Sequence, residues 1–569
     1  MFTNESQIKY LFRVIAPKIY LICPLLVLCL ILYVYWEYRI NVHTWESYYY
    51  AGSIDHFIPP SHMAPPGRNL SLPFNDLICI YYAQHPMLYM TVYLCHTYLW
   101  PQISPLEIAQ TINILSGILG LWGVFLILKK IVNSIVVASL GMMMIAWVDV
   151  YWYQSISGEV YIGAFAFLTL SMTALLEIDL SKPYNVSSCF ILMSIFFGIA
   201  VCFHLYASLF GIVIAVDILC RNPSQNTLSF PFNYSKKIIL YRVWLLFLLA
   251  MISMAFFCLA YVIPYFVLTS INHLGELFTL LFIHSTFWGI WQIPDHIMPV
   301  ETVFALGLAC KHILHAIIAG NNIISHLLRC MAGLWIGNRI LKYLFGPQKK
   351  RIPTLCLIWF GVYIVVLSTL VHVPTVNDNW CLSLFPILLF MIYGYRSHIQ
   401  SQKGKYVVVG IIIVLFMVNG RNDIFPKNQV SEVDFFFAKG FEKQLSQYSQ
   451  ILLMGNHNIL SQAWYIYYNN QVQLGYLHPP YEYPDLVRYQ QDLLEWADKA
   501  IKNQNKVLLI SAENIGWLRL TIHLLRGSGY RIAEILHRPM TIKPEIYKVS
   551  LGIVETALKF NFVVYEISL

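Results

Sequence analysis

The polar, aromatic loop that follows the first hydrophobic run, from His43 to His85, is the first place where side chains could do acid–base chemistry. It contains two carboxylates, Glu46 and Asp55. A general base needs a carboxylate held near a nucleophilic hydroxyl, with a pKa close to the working pH, and partial burial at an interface favours such a pKa. We therefore predict that Glu46 or Asp55 is a catalytic base. The structural alternative is that Glu46 only caps the first span, while Trp45 and the following tyrosines form an aromatic belt.

The composition of the rest of the chain is that of a membrane protein. Hydrophobic residues make up 58% and charged residues 12% of the sequence, and the mean hydropathy is +0.60. Soluble proteins carry about 25% charged residues, and an apolar run of about 20 residues spans a bilayer. We predict a polytopic α-helical protein with about eleven transmembrane helices. The corresponding apolar runs are residues 18–38, 106–128, 132–150, 160–178, 186–203, 205–220, 242–268, 322–345, 354–371, 380–395 and 405–419. The two short runs on either side of His204 fit either a tilted hairpin or a broken helix.

The positions of the basic residues predict the orientation of these spans. Lysines and arginines precede the first run and follow the second, sixth, eighth and tenth runs. Because cytoplasmic loops are enriched in both residue types, the amino terminus is predicted to be cytoplasmic and the carboxyl terminus extracytoplasmic. Residues 276–318 are assigned to an outer loop with interfacial or re-entrant helices. A full span in this segment would place the carboxyl terminus in the cytoplasm. The formal net charge of +8 reflects this topology and gives no indication of nucleic-acid binding.

The last 150 or so residues have a different composition. Apolar runs shorten to strand length at residues 451–454, 506–510, 532–536 and 562–567, and helix-like segments cover residues 484–503 and 515–526. This alternation predicts an α/β domain at residues 421–569, and the topology places it outside the cytoplasm. The domain lacks a glycine-rich phosphate loop, so we expect no nucleotide site.

Several segments in a fixed order suggest a family. The turn between the third and fourth spans runs from Gln154 to Tyr161, the fifth span ends with Gly198 to His204, and the turn from Asn377 to Trp380 precedes a leucine- and proline-rich helix. Together with the early acidic loop and the element from His85 to Tyr89, this order resembles the GT-C superfamily of membrane glycosyltransferases. The superfamily includes the protein O-mannosyltransferases and the lipid A aminoarabinose transferases. The resemblance covers roughly residues 18–400.

The resemblance implies a reaction. A GT-C-like domain at residues 1–420, with the loop 39–105 on its outer face, would move a sugar from a polyprenyl-phosphate carrier to an acceptor hydroxyl. The acceptor would belong to a glycan, a lipid or a protein, and the resemblance implies a bacterial inner membrane. The lipid tail of the donor could lie in a groove between spans, in contact with membrane lipid, while its phosphate and sugar meet water. We expect no cofactor and no nucleic acid in this reaction.

The resemblance also suggests roles for individual residues. Glu46 aligns with the early acid of the family, which is usually an aspartate, and Asp55 lies nine residues later and could serve instead. The predicted substrate-binding residues are Arg68, His85, Tyr89, Glu159, Tyr161, His204 and Asp378. The leaving phosphate would be bound by this arginine, by the histidines or by the tyrosine hydroxyls. The candidate histidines are His85, His204, His273, His284 and His296.

Three of the predicted substrate-binding residues have a structural alternative. Glu159 would be a charge tolerated at a span edge, His204 would bond a neighbouring helix, and Asp378 would be a solvated loop acid. Further histidines occur at His273, His284 and His296, but their spacing is not that of a metal site, and we predict no bound metal.

Two other functional classes remain open. A transporter or flippase would show internal repeats, discontinuous helices in matching halves and ionisable residues near span centres, and we find no repeat. A non-catalytic scaffold would use the outer domain to bind a partner. The long first outer loop and the outer soluble domain favour an enzyme.

Overall fold

The computed structural model describes residues 22–40, 47, 51, 54, 86–180, 187–222, 227–228, 235–263, 299–346, 350–369, 380–429, 450–454, 473–477, 486–502, 507–511, 515–542 and 558–568. Up to residue 429 these ranges are almost entirely helical. The α-helices are α1 (Ile22–Glu37), α2 (Pro86–Leu94), α3 (Pro105–Val132), α4 (Ile135–Ala146), α5 (Asp149–Ile156), α6 (Tyr161–Glu177), α7 (Ser188–Phe203), α8 (Phe210–Cys220), α9 (Lys236–Phe257), α10 (Pro299–Ile317), α11 (Ile323–Leu344), α12 (Arg351–Thr369), α13 (Cys381–Gln400), α14 (Gln402–Asn419) and α15 (Phe425–Gln429).

Four helical stretches in the described ranges are long and apolar enough to cross a membrane: Pro105–Val132, Lys236–Val262, Cys381–Gln400 and Gln402–Asn428. The bent pair α4–α5 adds a fifth, and six shorter apolar helices accompany them. The chain is therefore an integral, multi-pass membrane protein. The count of about eleven spans stays a prediction.

The third predicted span, residues 132–150, is not one straight helix. Helix α4 ends at Ala146, and α5 begins at Asp149 at an angle of 73°. A break in the middle of a span leaves carbonyls without helical partners, which is costly in lipid. Here the Tyr35 hydroxyl donates to the Ala146 carbonyl at 2.8 Å, and the Asn419 amide donates to the Trp147 carbonyl at 2.8 Å. Side chains from α1 and α14 thus stabilise the break.

The two short runs around His204 form a hairpin. His204 has an extended backbone between α7 and the 3₁₀ turn Leu205–Leu209, and its ring stacks on Tyr161 at the start of α6. Arg221, directly after α8, donates to the carbonyls of Leu175 and Ile178 at the end of α6. The turn at His204 therefore lies at the start of α6 and the end of α8 lies at the end of α6, so α8 runs antiparallel to α7.

Helix α3 lies inside the bundle and α9 at its periphery. A Cβ atom at Gly123 of α3 would lie within 3 Å of the Thr169 side chain on α6, so the two helices can approach this closely only because glycine is present. By contrast, Leu240, Phe247 and Met254 of α9, spaced seven residues apart on one face, are each more than half exposed. Such a face suits contact with lipid tails.

The positively charged helix ends collect at one end of the bundle, which we call the basic end. Lys130 near the end of α3 donates to the Leu176 carbonyl, Arg351 at the start of α12 pairs with Asp217, and Lys350 bridges to Thr227. The start of α3 and the start of α6 lie at the opposite end. Gln110 and Lys130 are separated by roughly 30 Å along α3, about the thickness of a hydrocarbon core.

The carboxyl-terminal described residues contain a five-stranded sheet with the order β4-β3-β5-β7-β6. Its strands are β3 (Gln450–Met454), β4 (Gln473–Leu477), β5 (Val507–Ser511), β6 (Arg531–Ile542) and β7 (Leu558–Ser568); β1 (Arg221–Asn222) and β2 (Thr227–Leu228) pair separately. Strands β3, β4 and β5 are parallel, and β7 is antiparallel to β5 and β6.

Helices α16 (Leu486–Lys502) and α17 (Ile515–Gly527) accompany the sheet. All four predicted strands and both predicted helices are present, and β4 was not predicted. The predicted domain boundary between residues 420 and 421 falls within the helical stretch Gln402–Asn428. A separate extracytoplasmic domain at residues 421–569 stays a prediction.

Candidate functional site

Two buried amides on α3 fix the turn between α5 and α6. The Gln110 side chain donates to the carbonyls of Ile40 and Ile156 at 2.9 and 3.0 Å, and Asn113, one helical turn later, donates to the carbonyls of Ser157 and Glu159. Buried amides that bond only backbone carbonyls hold the backbone at those carbonyls in a fixed position. Since Ile40 is the last described residue before residues 41–46, the loop that contains Glu46 and Asp55 starts at this end of the bundle.

Glu159 is the carboxylate that this turn presents. Its side chain is buried, with 3% of the residue exposed, and the Ser47 hydroxyl donates to its Oε1 at 3.4 Å. A Cβ atom at Gly158 would lie 3.1 Å from the Cβ and Oγ of Ser47, so glycine leaves the space that Ser47 occupies. Ser47 follows Glu46 in the sequence. The described structure thus brings the neighbour of one predicted base against Glu159.

His204 and Tyr161 form the second part of the site. The His204 ring, 1% exposed, stacks on the Tyr161 ring with centroids 4.4 Å apart and planes 25° apart, and it lies 4.6 Å from the Tyr206 ring. The Tyr206 backbone N–H donates to His204 Nδ1 at 3.1 Å, so the neutral ring carries its proton on Nε2. The Tyr363 hydroxyl donates to the Tyr206 carbonyl at 2.7 Å and anchors this turn to α12.

The structure therefore brings three predicted residues, Glu159, Tyr161 and His204, to one end of the bundle. A fourth, Tyr89, is buried on α2, which packs against α3 and α7. Five predicted site residues lie outside the described residues: Glu46, Asp55, Arg68, His85 and Asp378. The histidines at 273, 284 and 296 also lie outside them. All the substrate-binding roles remain predictions.

Several residues near the site were not predicted. Gln110 and Asn113 could have been noticed as two polar side chains three residues apart in an otherwise apolar helix. Gln154 on α5 is fully buried, and neither its Nε2 nor its Oε1 has a hydrogen-bond partner among the described residues. An unpaired buried amide costs about 1–3 kcal/mol, so Gln154 is an unsatisfied polar group beside this turn in the sequence.

A buried ion pair lies beside α5. Lys427 of α15 pairs with Asp423 at 3.0 Å, and its ammonium group lies 4.1 Å from the centre of the Tyr153 ring. Through this contact, α15 packs against α5.

Within the described ranges, no group of three or more histidine, cysteine, aspartate or glutamate side chains is arranged to hold a metal ion.

Comparison with known structures gives the fold. No family model and no curated protein matches the chain. The structure of ArnT from Cupriavidus metallidurans bound to undecaprenyl phosphate is similar, with a TM-score of 0.54 and 12% sequence identity over 96% of this chain and 97% of that one. The apo structure of the same protein gives a TM-score of 0.52, also at 12% identity, over 97% and 98% of the two chains.

An oligosaccharyltransferase from Archaeoglobus fulgidus, solved with zinc and sulfate, matches at a TM-score of 0.45 and 12% identity, over 94% of this chain and 75% of that one. The ArnT matches extend over nearly the full length of both chains, and ArnT is an aminoarabinose transferase of the GT-C superfamily. The resemblance predicted from the sequence is thus confirmed, and the chain has a GT-C fold.

Proposed function

We propose that this protein is a membrane glycosyltransferase that moves a sugar from a polyprenyl-phosphate carrier to an acceptor hydroxyl on the extracytoplasmic face. The observation that carries the proposal is the end-to-end similarity to ArnT, a protein whose structure contains bound undecaprenyl phosphate. A polyprenyl-phosphate lipid is therefore the proposed partner of this chain as well. The sugar and the acceptor are to be found by experiment.

The proposed site lies at the end of the bundle opposite the basic end, around Glu159, Tyr161 and His204. By the positive-inside rule this end faces away from the cytoplasm. Glu159 offers a carboxylate that can accept hydrogen bonds from sugar hydroxyls, and His204 offers its Nε2–H to an anionic oxygen. The aromatic faces of Tyr161 and Tyr206 supply an apolar wall beside them.

The proposed reaction uses a carboxylate of the outer loop as the base. The acceptor hydroxyl attacks the anomeric carbon of the sugar, and its proton passes to Glu46 or Asp55. The bond between the anomeric carbon and the phosphate oxygen breaks, and the polyprenyl phosphate leaves with that electron pair. In this scheme Glu159 and His204 bind and orient the donor, while Arg68 and His85 stabilise the leaving phosphate.

The test is sugar transfer by the purified protein in lipid bilayers, with a panel of polyprenyl-phosphate sugars and with release of polyprenyl phosphate as the readout. Glu46→Gln and Asp55→Asn are compared with Glu107→Gln, which removes an exposed carboxylate from the first turn of α3. Loss of the base is expected to lower turnover by about 10²–10⁴-fold while donor binding persists, and the control should stay near wild type.

Donor binding without turnover in the wild-type protein would overturn the proposal in favour of a transporter. An absence of donor binding across the panel would favour a scaffold. Equal turnover in Glu46→Gln, Asp55→Asn and wild type would leave the transferase in place and remove both residues as the base.

A further inference from the structure

A cavity of about 350 Å³ lies at the basic end of the bundle, far from the candidate site. It is bordered by α11, the start of α12 and the second half of α13. Nine described residues line it: Arg339, Tyr343, Lys350, Pro353, Phe390, Tyr393, Gly394, Arg396 and Ser397. We call it the basic cavity.

The basic cavity carries three positive charges, from Arg339, Lys350 and Arg396, and none of its nine described lining residues is acidic. Within the described part of the chain, none of the three is in an ion pair. This differs from the buried arginines nearby, since Arg221 and Arg351 both pair with Asp217. A concave site with uncompensated positive charge favours an anionic ligand.

Arg339 is held in a fixed position with donor capacity to spare. Its NH2 group donates to the Gly394 carbonyl at 3.0 Å, and its guanidinium carbon lies 5.3 Å from the centre of the Tyr395 ring. Its Nε–H lies on the same edge, buried against Gly394, and has no hydrogen-bond partner among the described residues. A guanidinium that is anchored along this edge has its remaining amino group to offer to an oxyanion such as phosphate.

Glycine at position 394 makes this arrangement possible. A Cβ atom there would lie 2.7 Å from both Cζ and NH2 of Arg339, which is closer than real contacts allow. Arg396 is placed in a similar way, with its guanidinium carbon 4.4 Å from the centre of the Tyr393 ring. Two arginines are thus oriented by aromatic rings at the rim of one cavity.

The surroundings of the basic cavity indicate that the anion belongs to a lipid. Its interior includes the buried side chains of Phe390 and Pro353. At the end of α11, beside Arg339 and Tyr343, the apolar residues Leu341, Leu344 and the following Phe345 are more than half exposed. A phosphate bound to the arginines would leave its acyl chains free to lie along this apolar surface.

We propose that the basic cavity binds the phosphate headgroup of an anionic phospholipid in the leaflet at the basic end. The cavity and the candidate site lie at opposite ends of the bundle. The proposal therefore does not depend on the transferase activity, and its test does not use that activity.

The test is native mass spectrometry of the full-length protein, titrated with phosphatidylglycerol, with phosphatidylcholine and with inorganic phosphate. The triple variant Arg339→Gln, Lys350→Gln, Arg396→Gln removes the charge of the cavity. The triple variant Lys236→Gln, Lys342→Gln, Lys403→Gln removes the same charge from exposed positions at the same end. We expect the first to raise the dissociation constant for phosphatidylglycerol at least about tenfold and the second less than about twofold.

Gly394→Ala provides a test that keeps every charge. It should weaken phosphatidylglycerol binding several-fold by displacing the Arg339 guanidinium, with an unchanged unfolding midpoint in lipid-free detergent to show that the protein is folded. Equal losses in the two triple variants would overturn the proposal, because binding would then follow diffuse charge. Equal affinity for phosphatidylcholine, or full displacement of the lipid by inorganic phosphate, would overturn the assignment to an anionic lipid.

Discussion

Two of the buried carboxylates in the described residues, Asp217 and Glu159, lie at opposite ends of the bundle and are bonded differently. Asp217, at the basic end, accepts hydrogen bonds from Arg351 at 2.7 and 2.9 Å and a further one from Arg221. Glu159, at the opposite end, accepts from the Ser47 hydroxyl at 3.4 Å. Both residues are almost fully buried.

This difference in bonding indicates a structural role for Asp217 and a place in the candidate site for Glu159. Arg221 and Arg351, which both bond Asp217, also donate to carbonyls at the end of α6. Arg242 of α9 donates to the carbonyls of Leu219 and Arg221, so the ends of α6, α8, α9 and α12 meet around this carboxylate.

Around Glu159, Asn113 holds the turn through the backbone carbonyls of Ser157 and Glu159. A turn fixed through its backbone can present its side chains to a substrate, whereas the Asp217 carboxylate is engaged in joining helix ends.

The largest expected effect is on stability, at the basic end. Asp217→Asn leaves Arg221 and Arg351 buried without a counter-charge, and we expect a loss of about 3–5 kcal/mol in the free energy of unfolding, measured by denaturant unfolding in detergent. The control is Glu177→Gln, which breaks the exposed pair between Glu177 and Lys130 and should cost no more than about 1 kcal/mol. Similar losses in both variants would contradict a structural role specific to Asp217.

The next effect is on activity, at the opposite end. Glu159→Gln keeps the shape of the side chain and removes its charge, so we expect kcat/KM for the sugar donor to fall about 10–100-fold, the loss of a hydrogen bond to a charged group. The free energy of unfolding should change by less than about 1 kcal/mol. A large loss of stability with unchanged kcat/KM would make Glu159 a second structural carboxylate and end the contrast with Asp217.

The smallest effect tests the space between Ser47 and Glu159. Gly158→Ala adds a methyl group 3.1 Å from both Ser47 and Leu106 Cδ1, so these side chains must shift by a few tenths of an ångström. We expect kcat/KM to fall about threefold with little change in stability. Gly337→Ala on α11 is the control, because a Cβ there meets no atom within 4 Å. A fall of the same size in the control would mean that the contact with Ser47 is irrelevant to activity.

The features that could be predicted from the sequence are those that depend on local composition. Apolar runs indicated helices, and the order of short polar segments indicated the GT-C fold. The same order identified Tyr161 and His204, which the structure places in ring contact although they are 43 residues apart. Their proximity follows from the hairpin at His204, which returns the chain to the start of α6.

What the sequence did not predict depends on partners far along the chain. The residues from Ala146 to Asp149 contain no proline or glycine to mark a bend, and the side chains that satisfy the broken backbone come from Tyr35 and Asn419. Gln110 and Asn113 likewise bond carbonyls that are at least 44 residues away. The role of a polar residue in an apolar helix becomes visible only when its acceptor is known.

The bond between Asn419 and the Trp147 carbonyl has a consequence for the order in which the protein is made. The two residues are 272 positions apart, so at 5–20 residues per second the ribosome needs roughly 15–50 s after Trp147 to synthesise its partner. Throughout that interval the Trp147 carbonyl of the third predicted span cannot accept its hydrogen bond from Asn419. Until Asn419 has been synthesised, the Trp147 carbonyl needs another hydrogen-bond donor, such as water, if this segment is in the membrane.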